Sequence, residues 1–312
     1  MKSNRVRQNV FPVLAAFIWG TAFVAQSVGA DYVEPFTFNA ARSIVAALVL
    51  VLGLGLFRFL RPRKDKVLDT PAERKQSRRD LLSGGFCCGT ALAVAANLQQ
   101  LGISLTTAGK ASFITALYIV LVPICGLFLR KKVAPMVWLS VAIAVAGLYC
   151  ICVKEGFSIA PGDFYVLLCA FCFTAHILCI DHFTQKVGGV ELSCVQFFVA
   201  AAWSALGMLA FEHPTVAGLQ ASLWPILYVG VFSSGVAYTL QILAQKGSNP
   251  TVVSLLLSLE AVFGALSGAI ILHERMSGRE YLGCVLMLAA VILAQVPVPV
   301  RKGAAEQQAA GE

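Results

Sequence analysis

Ten apolar stretches of 17 to 23 residues follow one another along this chain of 312 residues. About 20 apolar residues are needed for a helix to cross the hydrocarbon core of a bilayer. Inside lipid, every backbone N–H and C=O must be bonded within the protein, which favours helices. The pattern therefore predicts an all-α membrane protein with ten transmembrane helices. The stretches cover residues 10–27, 36–57, 81–101, 107–129, 135–153, 163–183, 192–211, 223–245, 250–272 and 280–296.

The composition agrees with a chain that lies mostly in lipid. Hydrophobic residues make up 58% of the chain and charged residues 13%, whereas a soluble domain carries about a quarter charged residues. The connecting segments are short, so they leave no room for a soluble catalytic domain. The ten cysteines fall within or beside the apolar stretches, where a free cysteine behaves as a small hydrophobic residue.

The distribution of basic residues predicts the orientation in the membrane. With the N-terminus inside, 19 of the 24 Lys and Arg residues fall in cytoplasmic segments and three in outer loops. Such an excess on the cytoplasmic side orients membrane proteins. We therefore predict a multi-pass protein of a bacterial-type plasma (inner) membrane, with both termini cytoplasmic.

The net charge of +8 does not indicate a nucleic-acid partner. Nine basic residues lie between Arg58 and Arg79, interleaved with acidic residues, and residues 61–79 contain no aromatic side chain to stack on bases. This stretch is typical of a cytoplasmic loop held inside by its charge. The expected partners are the lipid bilayer and a small-molecule substrate, with no nucleic acid.

Local signals predict where several helices begin. Asn249 followed by Pro250 is a typical N-cap and first helical position. Ser277 and Glu280 have the spacing of a capping box that opens the tenth helix. Asp80 and Asp163 are predicted as N-caps of the third and sixth helices.

An internal repeat divides the chain into two halves. Residues 16–19 (Ala-Phe-Ile-Trp) align with residues 170–173 (Ala-Phe-Cys-Phe) at an offset of 154, and the same offset pairs Arg42 with Gln196. Residues 128–132 align with residues 271–275 at an offset of 143. Each half holds five predicted helices, an odd number, so the halves have opposite orientations. Two inverted five-helix repeats are typical of alternating-access transporters.

Three segments resemble one family of transporters. They are LAAFIWGTAFVAQ (14–26), TTAGKASFITALYIVLVPICGLFL (106–129) and SLEAVFGALSGAIILHERMS (258–277). Together they look like the EamA-type branch of the drug/metabolite transporter superfamily. The resemblance implies a first repeat over 11–153, a second over 162–296 and a cytoplasmic tail over 297–312. Ala261 stands where many relatives carry Pro, which puts the helix kink expected there in doubt.

The resemblance also implies a function. Such a chain is expected to be a secondary transporter, and an exporter, of small metabolites such as amino acids, with alternating access around a midplane cavity. We predict no catalytic residues and no cofactor, and a monomer is the simplest assembly. The alternative is an integral-membrane enzyme acting on lipid-linked substrates. Its candidate residues, 273–275 (His-Glu-Arg) and Asp181-His182, form no recognisable catalytic group.

Glu260 is the first candidate for chemistry. It follows Pro250 by ten residues, or about 15 Å along a helix, which is the centre of a bilayer core about 30 Å thick. Ionisable groups at that depth are expensive and are functional candidates by default. Two interpretations stay open, a carboxyl that couples protons or binds substrate, and a neutral Glu bonded to a neighbouring helix.

Three further ionisable residues are candidates for coupling or anchoring. Arg42 and Lys110 lie four to six residues from the outer ends of their helices, so either side chain is long enough to extend to water there. For Lys110 the alternative is that it draws anionic substrate groups to an outer vestibule. His176 belongs to a one-face cluster with Cys169, Cys172 and Cys179. One straight helix spreads these four side chains too far for a single tetrahedral ion, so no metal site is predicted.

The remaining substrate-binding candidates follow from the family resemblance. They lie near the midplane of helices one, four, six and eight, or in the outer half of helix three. For each aromatic residue, ordinary core packing is the alternative. The candidates are Trp19, Phe23, Asn97, Thr115, Tyr118, Phe173, Ser234 and Tyr238, with Gln99 and Gln100 as further hydrogen-bonding groups beside Asn97.

Overall fold

The computed structural model describes residues 2–60, 70–106, 108–129, 133–152, 160–271 and 276–295. Within these ranges the chain is helical and contains no strand. A π-helical segment, 229–237, joins two of the helices. The α-helices are α1 (Lys2–Ala30), α2 (Pro35–Leu60), α3 (Pro71–Ile103), α4 (Ala108–Ala116), α5 (Tyr118–Phe128), α6 (Pro135–Cys152), α7 (Pro161–Phe183), α8 (Gly189–Phe211), α9 (Val216–Ala221), α10 (Leu223–Tyr228), α11 (Tyr238–Gln245), α12 (Pro250–Leu257), α13 (Glu260–Ile271) and α14 (Gly278–Gln295).

Eight helical segments in the described ranges are long and apolar enough to cross a membrane. They coincide with eight of the ten apolar stretches, which confirms an all-α, multi-pass membrane protein. The other two stretches correspond to α6 and α14. The apolar part of α6, Pro135–Ile151, is shorter than the other spans. That all ten stretches cross the membrane stays a prediction.

Two of the predicted helix starts are confirmed. The Asn249 side chain accepts a hydrogen bond from the backbone N–H of Thr251 at 2.9 Å and caps α12. At the start of α14, the Ser277 N–H donates to Glu280 Oε2 at 2.7 Å, and the Glu280 N–H donates to Ser277 Oγ at 3.3 Å. These reciprocal bonds form the predicted capping box.

The other two predicted starts are wrong. Helix α3 is capped by Thr70, and Asp80 lies inside it, where Asp80 Oδ1 accepts from Gln76 Nε2 at 3.0 Å. The first turns of α3 are charged and exposed, so the apolar pattern could not reveal them. In α7 the N-cap is Ala160, and Asp163 is the third helical residue, whose Oδ2 accepts from the Ala160 N–H at 2.8 Å.

Corresponding helices of the two halves make corresponding contacts across the molecule. Helix α1 packs against α10, the π-helical segment and α11, as α7 packs against α3. Helix α1 also packs against α12 and α13, as α7 packs against α4 and α5. The pairs α2 with α8 and α6 with α14 join corresponding helices. These helices of one half therefore have the same neighbours as their counterparts in the other.

Two hydrogen bonds between helices also correspond in the two halves. Gln100 Nε2 on α3 donates to the carbonyl oxygen of Gln26 on α1 at 3.2 Å. Gln245 Nε2 on α11 donates to the carbonyl oxygen of Ile177 on α7 at 2.9 Å. In lipid, such bonds satisfy polar groups that have no water available. In each half, one contact between corresponding helices is thus held by a glutamine amide.

Candidate functional site

A cavity lies where the two halves meet, with about 500 Å³ of empty space that includes its opening to solvent. Helices of both halves contribute to its wall. The lining residues are Trp19, Phe23, Gln26, Arg42, Gln99, Thr115, Tyr118, Phe173, Ile177, Ser233, Tyr238, Gln241, Leu257 and Glu260.

Two interrupted helices border the cavity, one from each half. Helix α4 ends at Ala116 and α5 begins at Tyr118. Helix α12 ends at Leu257 and α13 begins at Glu260. The residues on either side of each break, including Thr115 and Tyr118 in the first half, line the cavity. Interrupted helices expose backbone groups, and in transporters they surround the bound solute.

The second interruption forms although residue 261 is Ala and not Pro. Ser258 Oγ donates to the carbonyl oxygen of Leu255 at 2.7 Å. Beside it, the Leu259 N–H bonds to the Leu256 carbonyl at 3.3 Å, and the Ala261 N–H bonds to the Ser258 carbonyl at 3.2 Å. These are tight three-residue turns, and a serine bonded back to the helix favours them. The helix is therefore interrupted at the place where Ala261 puts the kink in doubt.

Glu260 is the first residue of α13, and its side chain is 4% exposed. Among the described residues, its Oε1 atom and the Tyr118 hydroxyl have no hydrogen-bond partner of regular geometry, although these two side chains are close enough to interact with each other. A negative group is favoured at a helix N-terminus. Gly20 allows α1 to pack closely there, because an added Cβ would lie 2.7 Å from the Glu260 carbonyl oxygen.

Arg42 lies in the wall of the cavity, so the prediction that it reaches water at the outer surface is wrong. Its side chain is 4% exposed, and its NH1 atom donates to Gln26 Oε1 at 3.1 Å. Helix α2 packs against α8 and the π-helical segment, which cover it. Depth counted along α2 alone could not include that cover. Glu260 and Arg42 are the acidic and the basic residue among those that line the cavity.

Aromatic side chains form much of the remaining wall. The rings of Trp19 and Tyr238 lie 4.8 Å apart at 60°. Trp19 Nε1 donates to the Ser233 carbonyl oxygen at 3.3 Å, which fixes the orientation of the indole. Phe197 and His176 pack edge-on against Tyr238, and their ring centroids lie 5.6 and 5.8 Å from that of Tyr238. The aromatic wall is thus rigid and presents ring faces and edges to the cavity.

The structure brings most of the sequence-predicted site residues to this cavity. These are Trp19, Phe23, Arg42, Thr115, Tyr118, Phe173, Tyr238 and Glu260. Their part in binding or coupling stays a prediction. For Lys110, which lies in α4, the side chain is outside the described residues.

Three predicted residues lie outside the wall of the cavity. Asn97 Nδ2 donates to Ser204 Oγ at 2.9 Å and to the Ala93 carbonyl. His176 Nε2 is bonded to Gln196 Oε1 at 3.1 Å. Ser234 is buried, and Ser233 takes its place in the wall. An α-helix would put Ser234 on the face of Tyr238, but the wide turn bonds the Tyr238 N–H to the Ser233 carbonyl, five residues back.

Several lining residues were absent from the predicted site. Besides Ser233, the polar ones are Gln26 and Gln241, and the apolar ones are Ile177 and Leu257. Gln26 follows Trp19 by seven positions and Phe23 by three, and Gln241 follows Tyr238 by three. Helical residues at those spacings share a face. An uncharged amide on the same face as a predicted lining aromatic residue is the signal that could have found both.

The cysteine and histidine cluster on α7 is dispersed. Cys169 and His176 are buried, whereas Cys172 and Cys179 are partly exposed. Among the described residues, no group of three or more His, Cys, Asp or Glu side chains could hold a metal ion. The prediction that the cluster binds no metal awaits elemental analysis.

Comparison with known proteins identifies the family. The model of the EamA-like transporter family matches twice, over residues 8–153 and 160–295. The chain belongs to the EamA-like transporter family. The two matches divide this family member where its own internal repeat does. It is a membrane transporter with several spans.

Two curated relatives are named as uncharacterized transporters. One, from Archaeoglobus fulgidus, is 30% identical over 290 residues, which cover 91% of this chain and 84% of the relative. The other, from Methanothermobacter thermautotrophicus, is 24% identical over 295 residues, covering 90% and 84%. A solved crystal structure with 19% identity aligns with a TM-score of 0.74 over 92% of this chain and 96% of its own. That likeness shows the fold.

Proposed function

We propose that this EamA-like protein is a secondary transporter that exports small metabolites such as amino acids. The observation that carries the proposal is the cavity between the halves, bordered by one interrupted helix from each. A solute held there contacts both halves at once. Rocking one half against the other then opens the cavity to either side in turn, which is alternating access.

The proposed architecture has ten transmembrane helices in two inverted five-helix repeats. The repeats comprise residues 11–153 and 162–296, and a cytoplasmic tail comprises 297–312. The preserved packing on exchange of the halves supports this arrangement, as do the corresponding bonds from Gln100 and Gln245. The excess of basic residues in the loops supports cytoplasmic termini in a bacterial-type inner membrane. A single copy contains the whole cavity, which agrees with a monomer.

Glu260 is the proposed coupling group. An ionised carboxylate away from water costs several kcal/mol unless it is paired or hydrated. The ionisable side chains that interact with it are Tyr118 on α5, Tyr238 on α11 and Cys169 on α7. Arg42 faces the same cavity from α2. Proton uptake by Glu260 changes the charge of the cavity, and this links solute binding to the proton gradient.

Two measurements test the transport function. Metabolites are profiled inside and outside cells with and without the protein, and compounds that change are then assayed in proteoliposomes. Export predicts that a compound accumulates inside cells lacking the protein and crosses liposome membranes unaltered. A compound that is chemically converted in the proteoliposomes would instead support the membrane enzyme.

A further inference from the structure

The cavity holds a buried cation with unused hydrogen-bonding capacity. A guanidinium carries five N–H donors and stays charged at any pH at which proteins fold. Within the described part of the chain, Gln26 Oε1 is the side-chain acceptor bonded to Arg42. Gln26 is a neutral partner, so this hydrogen bond does not compensate the charge of Arg42. Burying a cation in that condition is costly and favours binding of an anion.

Resting on the proposed transport function, we propose that the solute is an organic carboxylate whose carboxylate group binds to Arg42. The planar guanidinium binds carboxylates through two parallel hydrogen bonds, and such charge-assisted pairs are the strongest hydrogen bonds in proteins. Arg42 thereby selects for the acid group and fixes its orientation. Arg42 is thus a substrate-binding residue that determines specificity.

The rest of the wall defines the body of the solute. Trp19, Phe23, Phe173 and Tyr238 supply aromatic surface, and Ile177 and Leu257 supply aliphatic surface. This surface lies in the same cavity as the guanidinium, so an acid with an apolar or aromatic body satisfies both. Highly charged solutes, such as nucleotides, meet one cation among the described lining residues and a largely apolar wall, which provides too few partners for several phosphates.

The protonation state of Glu260 determines whether the bound carboxylate must carry an ammonium group on the same molecule. With Glu260 protonated, the cavity carries the charge of Arg42 and accepts a simple carboxylate anion. With Glu260 ionised, it accepts a zwitterion whose ammonium group pairs with Glu260 while its carboxylate pairs with Arg42. Amino acids and simple aromatic acids therefore share the chemistry that Arg42 recognises, and a third compound lacking the carboxylate separates recognition of the acid from recognition of the ring.

The test uses three matched probes on the purified, full-length protein in lipid nanodiscs. They are phenylalanine, 3-phenylpropionate (which lacks the amine) and 2-phenylethylamine (which lacks the carboxylate). Binding is measured by calorimetry and by the shift in thermal unfolding. We expect at least one of the two carboxylates to bind and the amine not to bind. Binding of phenylalanine alone indicates a zwitterion site, and binding of 3-phenylpropionate indicates an anion site.

A variant test locates the recognition at Arg42. In Arg42→Gln, affinity for the bound carboxylate should fall at least about thirtyfold, because one partner of a buried charged pair is lost. Arg42→Lys keeps the charge and serves where the Gln variant fails to fold. It should bind the carboxylate more weakly than wild type, since an ammonium lacks the planar fork. Arg79→Gln, at an exposed position on α3, controls for the general loss of a positive charge and should bind as wild type does.

The proposal is overturned if the amine binds as tightly as the acids, if neither carboxylate binds, or if the Arg42 variants retain wild-type affinity. None of these results bears on transport itself. A compound found by metabolite profiling that crosses proteoliposomes but carries no carboxylate would sink this inference and leave the transport function standing. Carboxylate binding without transport of any compound would do the reverse.

Discussion

The two interrupted helices have similar breaks in their backbone hydrogen bonding but carry different side chains there. Leu117 separates α4 from α5, and the corresponding position in the second half is Glu260, at the start of α13. In both, short-range backbone bonds replace the regular helical ones, such as Leu117 N–H to the Ile114 carbonyl at 3.2 Å. The first break presents the Tyr118 hydroxyl to the cavity, whereas the second presents a carboxyl group.

Other corresponding positions differ in the same way. Arg42 lines the cavity, but its counterpart Gln196 lies behind it, bonded to His176. Gly20 lets α1 approach α13, whereas its counterpart on α7 is Thr174, which bonds back to the Ala170 carbonyl at 2.8 Å. The repeat therefore specifies how the helices pack, while residues peculiar to each half specify what the cavity can bind.

The largest expected effect tests whether the two interrupted helices enter the membrane from opposite sides. Ser104, just before α4, and Lys246, between α11 and α12, are both exposed. With cytoplasmic termini, Ser104→Cys should react with an impermeant maleimide added to intact cells, and Lys246→Cys only after the cells are opened. Wild type measures labelling of the native cysteines. Equal labelling of both variants from outside would contradict inverted repeats.

The next effect concerns the chemistry that distinguishes the breaks. Glu260→Gln keeps shape and hydrogen bonding but cannot titrate, so the variant should fold, insert and lose the pH dependence of transport. Tyr118→Phe, at the other break, removes a hydroxyl and should leave that dependence in place. The measurement is transport into proteoliposomes over a range of pH. If Glu260→Gln transports as wild type does and Glu260→Ala is poorly expressed, the carboxyl is a structural partner.

A third prediction concerns the close approach of α1 to α13. In Gly20→Ala, the new Cβ would lie 2.7 Å from atoms of Glu260, Phe263 and Gly264. Overpacking of this kind costs about 1–3 kcal/mol, so thermal unfolding in detergent should occur at a lower temperature. Two variants serve as controls. Thr174→Ala adds no Cβ, because threonine already has one, and in Gly53→Ala the added Cβ meets nothing within 4 Å. Both should unfold at a temperature closer to that of wild type than Gly20→Ala does.

The smallest expected effect is on the second break itself. Ser258→Ala removes the bond from Ser258 Oγ to the Leu255 carbonyl and favours a continuous helix. We expect the transport rate to fall about threefold, in line with one hydrogen bond at the low end of its net contribution. Ser254→Ala removes a similar bond to the Thr251 carbonyl, one turn earlier. An equal fall in that control would show that the effect is general to α12 and not to the break.

The helices themselves could be predicted from the sequence because lipid imposes one rule on every span. The midplane depth of Glu260, counted from the fixed rise of a helix after Pro250, stays a prediction. The start of α3 could not be predicted, because its exposed first turns, with Glu73 and Arg78 among them, carry no apolar pattern. Its signal was a local one, the capping box between Thr70 and Glu73.

The candidate site was predicted less completely, because a cavity is a property of several helices at once. Arg42 was assigned to the outer surface from its place along α2, and only the packing of α8 and the π-helical segment reveals its burial. Ser234 was expected in the wall from the family resemblance, and only the wide turn that bonds the Tyr238 N–H to the Ser233 carbonyl shows that Ser233 lies there instead. Neither error could be repaired from one helix considered alone.

The π-helical segment determines which residues of the second half face the cavity. Its hydrogen bonds reach one residue further than those of an α-helix, and Tyr238 and Gln241 follow immediately after it. If one wide turn tightened to ordinary bonding, everything downstream would rotate by about 100° and advance by about 1.5 Å. This rotation would move Tyr238 away from Trp19 and would move the Gln241 amide out of the wall of the cavity. The composition of the cavity therefore depends on the backbone register that the π-helical segment fixes.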